Sequence, residues 1–108
     1  MKTLDLHRAA RRAVAANPTR PATAIVHDSP DARLVLFRLS PGQAVPLHRN
    51  DSTVTVAVVE GHGSVWGRDG ERTVNAGDLV VYDPAEPHAM RASDVELVLL
   101  ATITPRPR

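Results

Sequence analysis

The chain contains no cysteine. Disulfides, a thiolate nucleophile and a Cys-ligated zinc site are thereby excluded. No window approaches the roughly 18 consecutive apolar residues of a membrane-spanning helix. The opening stretch MKTLDLHRAARRAV lacks the apolar run of a secretory signal. Net charge is only +1, so no strong field of one sign points to nucleic acid or a membrane surface. Lysine is almost missing, since 12 of the 13 basic residues are Arg. Aromatics are scarce, with one Phe, one Trp and one Tyr, which leaves Trp66 and Tyr82 as the large polar-tipped rings. No Ser or Thr sits in a nucleophile-elbow context, which disfavours acyl transfer, and GHGSVWG at 61–67 is too irregular for a phosphate loop. The expectation is a cytoplasmic domain whose partner is a small molecule, with no nucleic acid and no membrane.

What is present fits one small globular domain. With 108 residues there is room for one modest core and too little chain for two. Apolar residues make up 43% and charged residues 23%, the balance of a soluble domain rather than a disordered one. Residues 1–21 read as a helix and connector. Leu6, Ala10, Ala13 and Val14 share one face at helical spacing, which predicts a helix over about 4–16. Thr3 is its expected cap, and Asn17-Pro18 its expected stop, because the residue before proline avoids the α region. Residues 22–108 read as a barrel domain. Short β-branched segments near 23–28, 32–40, 53–60, 63–68, 71–76, 78–83, 87–92 and 95–104 alternate with turn signals. RDGE at 68–71 carries the Asp-Gly of a tight hairpin. Many short, closely spaced strands predict an all-β, antiparallel sandwich or barrel with a short N-terminal helix.

Two histidines stand at the edges of apolar strands. His48 precedes TVTVAVVE at 53–60, and His88 opens HAMRA. In 53–60, Val54, Val56 and Val58 share one face. A strand extended back to His48 would place His48 and Asn50 on that face too. In 87–92, His88 and Met90 share a face. Both imidazoles are thus expected to point into one barrel mouth. His7 and His27 read as structural and His62 as solvated.

Two motifs around these histidines resemble the cupin family. Gly42, residues 43–47, His48, Arg49, Asn50, residues 51–53, Val54, residues 55–60 and Gly61 follow the spacing of its first motif, Gly-x5-His-x-His-x3–4-Glu-x6-Gly. Gly77, residues 78–82, Asp83, Pro84, Ala85, residues 86–87 and His88 follow the second, Gly-x5-Pro-x-Gly-x2-His. Residues 62–76 separate them, as in a compact member. The resemblance covers roughly 32–104 and implies a single cupin-type, jelly-roll-like antiparallel β-barrel. It says little of activity, because one fold hosts many functions.

The resemblance also implies four metal-ligand positions, and two have changed. They are His48, Asn50, Val54 and His88, so one imidazole has become an amide and the carboxylate an aliphatic chain. The expected metal residues are His48 and His88. The expected ligand-pocket residues are Asn50, Val54, Trp66, Tyr82 and Met90. Without the carboxylate, Zn, Ni or Cu is favoured over Fe or Mn. Glu60, six residues past Val54, is roughly 20 Å along an extended strand and cannot replace it. Asp51 and Asp83 are the nearer alternatives, Asp83 more naturally as a turn residue. Three functions stay open: a barrel that binds a small molecule with a divalent metal at the two histidines, a metal-free binding or sensing module, and a metal-dependent oxidoreductase, isomerase or lyase of the cupin type. A homodimer is expected, through the apolar strand material ATAIVHD and VELVLLATI.

Overall fold

The computed structural model describes residues 1–107. One helix, α1 (Leu6–Arg12), precedes nine strands: β1 (Ala22–Asp28), β2 (Arg33–Leu39), β3 (Ala44–His48), β4 (Thr53–Glu60), β5 (His62–Gly67), β6 (Gly70–Asn75), β7 (Leu79–Tyr82), β8 (His88–Ala92) and β9 (Leu97–Thr104). They form two antiparallel sheets, ordered β1-β2-β9-β4-β7 and β3-β8-β5-β6. This is the expected barrel-like jelly roll. Alternation along β4 explains the packing. Val54, Val56 and Val58 are buried while their neighbours are half-exposed, because successive side chains face opposite sides of a sheet. Val54, Val56, Val58, Met90, Leu97 and Leu99 join one core cluster between the sheets. The hairpin at 68–69 joins β5 to β6, with Gly67 opposite Gly70.

The helix differs from expectation in length and cap. Asp5, not Thr3, is the N-cap, and its carboxylate accepts from the Arg8 N–H at 3.1 Å. The helix stops at Arg12, because Ala13 turns extended and Val14 bridges to Thr23 at the margin of β1. That backbone pairing offers Val14 hydrogen bonds the helix would have to forgo. On the outer face of the larger sheet, Ala10 packs on Leu36 and Val98 in a second, small cluster. Arg38 donates to the Ala10 carbonyl at 2.6 Å, and Arg11 reaches Glu96 at 3.0 Å and Glu60 at 3.1 Å. These polar contacts compensate for a helix too short to hold itself.

Two further points correct the strand reading. Residues 44–48 form a strand of their own, β3, and residues 49–52 lie outside any strand. His48 is therefore not on an extension of β4. It comes from the opposite sheet, paired with β8. Strand β9, expected as edge material, lies between β2 and β4 and is paired on both sides.

Candidate functional site

His48 ends β3 and His88 begins β8, and the two face each other in register. Their ring centroids are 4.2 Å apart in an edge-to-face contact with an interplanar angle of 64°. His88 is buried, 2% exposed, whereas His48 lies exposed at the rim. Each ring is fixed the same way. His48 Nδ1 is 2.8 Å from the Pro46 carbonyl, and His88 Nδ1 is 2.9 Å from the Glu86 carbonyl. A carbonyl oxygen only accepts, so each Nδ1 carries the proton and donates. In the neutral rings both Nε2 atoms then keep a free lone pair. Fixing of the tautomer through the other nitrogen is how proteins orient metal-binding imidazoles. Burial pushes the His88 pKa below its ordinary 6.5, with the neighbouring His48 adding to the shift against the opposing Glu86 contacts. The shift favours the neutral imidazole, the form that ligates.

Tyr82 closes the inner side of the pair. Its ring stacks on His88 at 4.3 Å and 18°. It is 3% exposed, and its hydroxyl has no hydrogen-bond partner among the described residues. Burial, with the negative charges of Glu86 and Asp69, pushes its pKa up to about 12. Glu86 is 8% exposed and accepts from the Arg68 N–H and the Asp83 N–H, both at 2.9 Å. Those two backbone donors hold its carboxyl below the usual carboxylate range, assisted by Arg68. Glu86 thus pins the turn before His88 to the β5–β6 hairpin, and its carbonyl orients the His88 ring. Sequence reading missed it, because a glutamate in PAEPH carries no motif signal of its own.

The other expected pocket residues are spread around the barrel. Val54 is opposite Tyr82 across β4 and β7, and both belong to the core, as does Met90. Trp66 is half-buried on the face of β5 opposite the buried Val65, away from the pair. Asn50 accepts from the Ser52 N–H at 2.9 Å and lines a separate cavity of about 630 Å³ beside residues 105–107. Among the carboxylates weighed as substitutes, Glu60 is engaged by Arg11, Asp83 lies 3.9 Å from Arg68 and Asp51 is exposed. Among the described residues, no three His, Cys, Asp or Glu side chains are grouped to hold a metal. Among the described residues the two imidazoles have no third such ligand beside them. That set fits a two-point hold on a nitrogen-preferring ion such as Cu, Ni or Zn. It does not fit the charge-compensated, octahedral demand of Fe or Mn.

Two antiparallel sheets enclosing an apolar core, with facing histidines from β3 and β8, define a small jelly-roll barrel with a reduced imidazole site. The cupin domain profile matches residues 35–103, and the chain belongs to the cupin domain family. TT1209 from Thermus thermophilus is 28% identical, with a TM-score of 0.84 and coverage of 99% of this chain and 100% of that one. An RmlC-like cupin from Desulfovibrio desulfuricans is also 28% identical, with a TM-score of 0.82 and 98% of each chain covered. KdgF from a Halomonas species is 21% identical over 87% of each chain, with a TM-score of 0.78, a likeness of fold alone. No curated protein matches the chain. Among the described residues, no helix is long and apolar enough to cross a membrane.

Proposed function

We propose that this cupin is a small-molecule-binding barrel whose rim carries a two-histidine site for a divalent ion of the Cu, Ni or Zn kind. One observation supports the reading above others. Both Nδ1 atoms are engaged by backbone carbonyls two residues upstream, which leaves two Nε2 lone pairs in adjacent rings. His88 is the buried member, stacked on Tyr82, and His48 lies exposed at the rim beside it. Water or a small-molecule ligand would complete the coordination. With two neutral ligands and no carboxylate, the hold is modest and falls as either imidazole protonates.

A metal-dependent lyase or oxidoreductase is the weaker reading. Proteins of similar fold include a DMSP lyase from Ruegeria pomeroyi and a predicted oxalate decarboxylase from Thermotoga maritima, at 18% and 22% identity. The carboxylate position of the metal motif is Val54 here, buried in the core. Elemental analysis of protein purified without an affinity tag, followed by calorimetric titration with Cu(II), Ni(II), Zn(II) and Mn(II), decides among the readings. Binding is expected for the first three and not for Mn(II), and His48→Ala should abolish it with little change in melting temperature. Absence of binding for every ion would leave the metal-free module.

A further inference from the structure

His48 stands at the weakly held end of an edge strand. β3 pairs on one side only, with β8. Its register slips between Val45 and His48, where Pro46 and Leu47 stand against the single residue Ala89. Such a bulge disrupts the ladder locally. Four residues, 49–52, then carry the chain from this sheet to β4 in the other, outside any strand. Whatever fixes those four residues also fixes the end of β3.

Contacts on two sides do so. On one side the Asn50 carbonyl accepts from the Ala85 N–H at 2.6 Å, and the Asn50 side chain accepts from the Ser52 N–H at 2.9 Å. On the other side lies the segment that leaves β9. Ser52, 5% exposed, donates its hydroxyl to the Pro105 carbonyl at 2.6 Å. The next residue, Arg106, sets its guanidinium on the Asp28 carboxylate at the end of β1. Its Nε is 2.6 Å from Oδ1 and its Nη2 3.1 Å from Oδ2. A two-point fork of this kind is the directional form of an ion pair. Arg33, on β2, holds the same carboxylate at 3.3 and 3.2 Å. The cavity of about 630 Å³ is lined by both 49–52 and 105–107, so the two segments do not pack flat on each other. The Ser52 hydroxyl is a bridge between them.

We propose that residues 105–107 are a strap that positions His48: Arg106, anchored on Asp28, presents the Pro105 carbonyl to Ser52, which fixes the 49–52 segment and with it the imidazole at the end of β3. Ser52 and Arg106 are positioning residues that act on the site through the backbone of 49–52. The consequence for ion binding rests on the two-histidine reading, whereas the placement of His48 does not.

The test reads His48 itself, in the full chain and in chelator, through the nitrogen shifts of its ring at about pH 8, where imidazoles are neutral. In the parent, His48 and His88 should each be the Nδ1–H tautomer that their bonds to the Pro46 and Glu86 carbonyls require. Ser52→Ala and Arg106→Ala should each shift the His48 tautomer ratio roughly fivefold toward Nε2–H, the weight of one ordinary hydrogen bond. His88 should not change. Both variants release the same strap, so the double variant should shift His48 no further than either alone. Arg33→Ala removes the other guanidinium from Asp28 without touching the strap, and should leave His48 as in the parent. If Ser52→Ala does not fold, Arg106→Ala, a change at an exposed side chain, decides alone. An unchanged His48 ratio in Arg106→Ala, an equal shift at His88, an additive shift in the double variant, or an equal shift in Arg33→Ala would each overturn the proposal. Titration with Cu(II), Ni(II) and Zn(II) then separates the two readings. Binding by the parent should weaken several-fold in both strap variants, while no binding by the parent would overturn the ion site alone, since the tautomer is read without an ion.

Discussion

Single residues carry most of what distinguishes this barrel. The three glycines that frame its motifs, Gly42, Gly61 and Gly77, all have positive φ, and at Gly61 a side chain would also overlap the Glu96 carbonyl. The fourth glycine position of the family pattern is Ala85, which stands at φ 63 in the left-handed region. An L-residue there costs roughly 1–2 kcal/mol, and glycine removes that cost while adding some freedom to the unfolded chain. Ala85→Gly is thus expected to stabilise the fold by about 0.5–1 kcal/mol. Urea denaturation measures it, and a loss of stability would show that the Ala85 methyl makes a contact worth more than the strain. The second residue-scale prediction concerns His88. Its folded pKa lies below the ordinary 6.5, chiefly through burial. The unfolded chain therefore binds the proton at higher pH than the folded one. The stability it contributes is complete above about pH 6.5 and is lost as pH falls from there toward the depressed folded value. In chelator, the melting temperature should fall between pH 7 and pH 5 more steeply in the parent than in His88→Gln. Equal slopes would mean that His88 protonates freely in the folded state. Both histidines were legible in the sequence because motif spacing marks them. The contacts that hold His88 were not, since no local pattern tells that a tyrosine on β7 will stack on its ring and that the carbonyl of a glutamate in a turn will accept from its Nδ1.

Among elements, periodicity served well where one face is buried. Alternation in TVTVAVVE placed β4 and its inward valines, and these do fill the core. It failed for AVPLH at 44–48. That strand is half-buried at best, contains Pro46, and lies at the edge of its sheet. Proline is tolerated at an edge because one side of the ladder is unpaired. Nothing in such a segment separates strand from loop until β8 is known to run beside it. The consequence for the site is direct: His48 reaches His88 through the β3–β8 ladder, across strands of one sheet, and not along β4. Strand β9 erred in the other direction. VELVLLATI looked like edge material because it is apolar on both faces. It is apolar because one face meets the barrel core, through Leu97, Leu99 and Ala101, and the other meets α1, through Val98 and Leu100. A strand sandwiched between a core and a helix reads as a continuous hydrophobic run, as buried strands do. The short helix is thus an outer cover for the larger sheet.

For the molecule as a whole, the open question of assembly narrows to one side. The sheets end at β1 and β7, and at β3 and β6. With β9 central, β1 is the part of the expected interface still available. Its ladder is occupied at Thr23 by Val14, through two backbone hydrogen bonds, and beyond Thr23 it carries Ile25, 58% exposed. The β1 and β3 edges lie together, since Thr23 and Phe37 share a shallow apolar cavity with Val45 and Pro46. Val14, 75% exposed, and Leu47, 70% exposed, belong to these same two margins. An unpaired edge bordered by exposed aliphatic side chains invites another chain, and natural proteins usually blunt or cover it. Strand β1 carries no lysine of its own, and Lys2 reaches it only at His27, at 3.4 Å. A second copy, pairing β1 against β1 about a two-fold axis, would cover the edge and the three side chains on both subunits. The expected outcome is a homodimer. Light scattering at micromolar concentration should return roughly 23 kDa, twice the 11.6 kDa of one chain. Ile25→Lys, which places a charge at the centre of the pairing, should return the mass of one chain without loss of the folded spectrum. A parent protein that already scatters as one chain would end the proposal, and an Ile25→Lys variant that remains dimeric would move the interface to the β7 side, where Leu79 and Val81 are exposed by 64% and 59%.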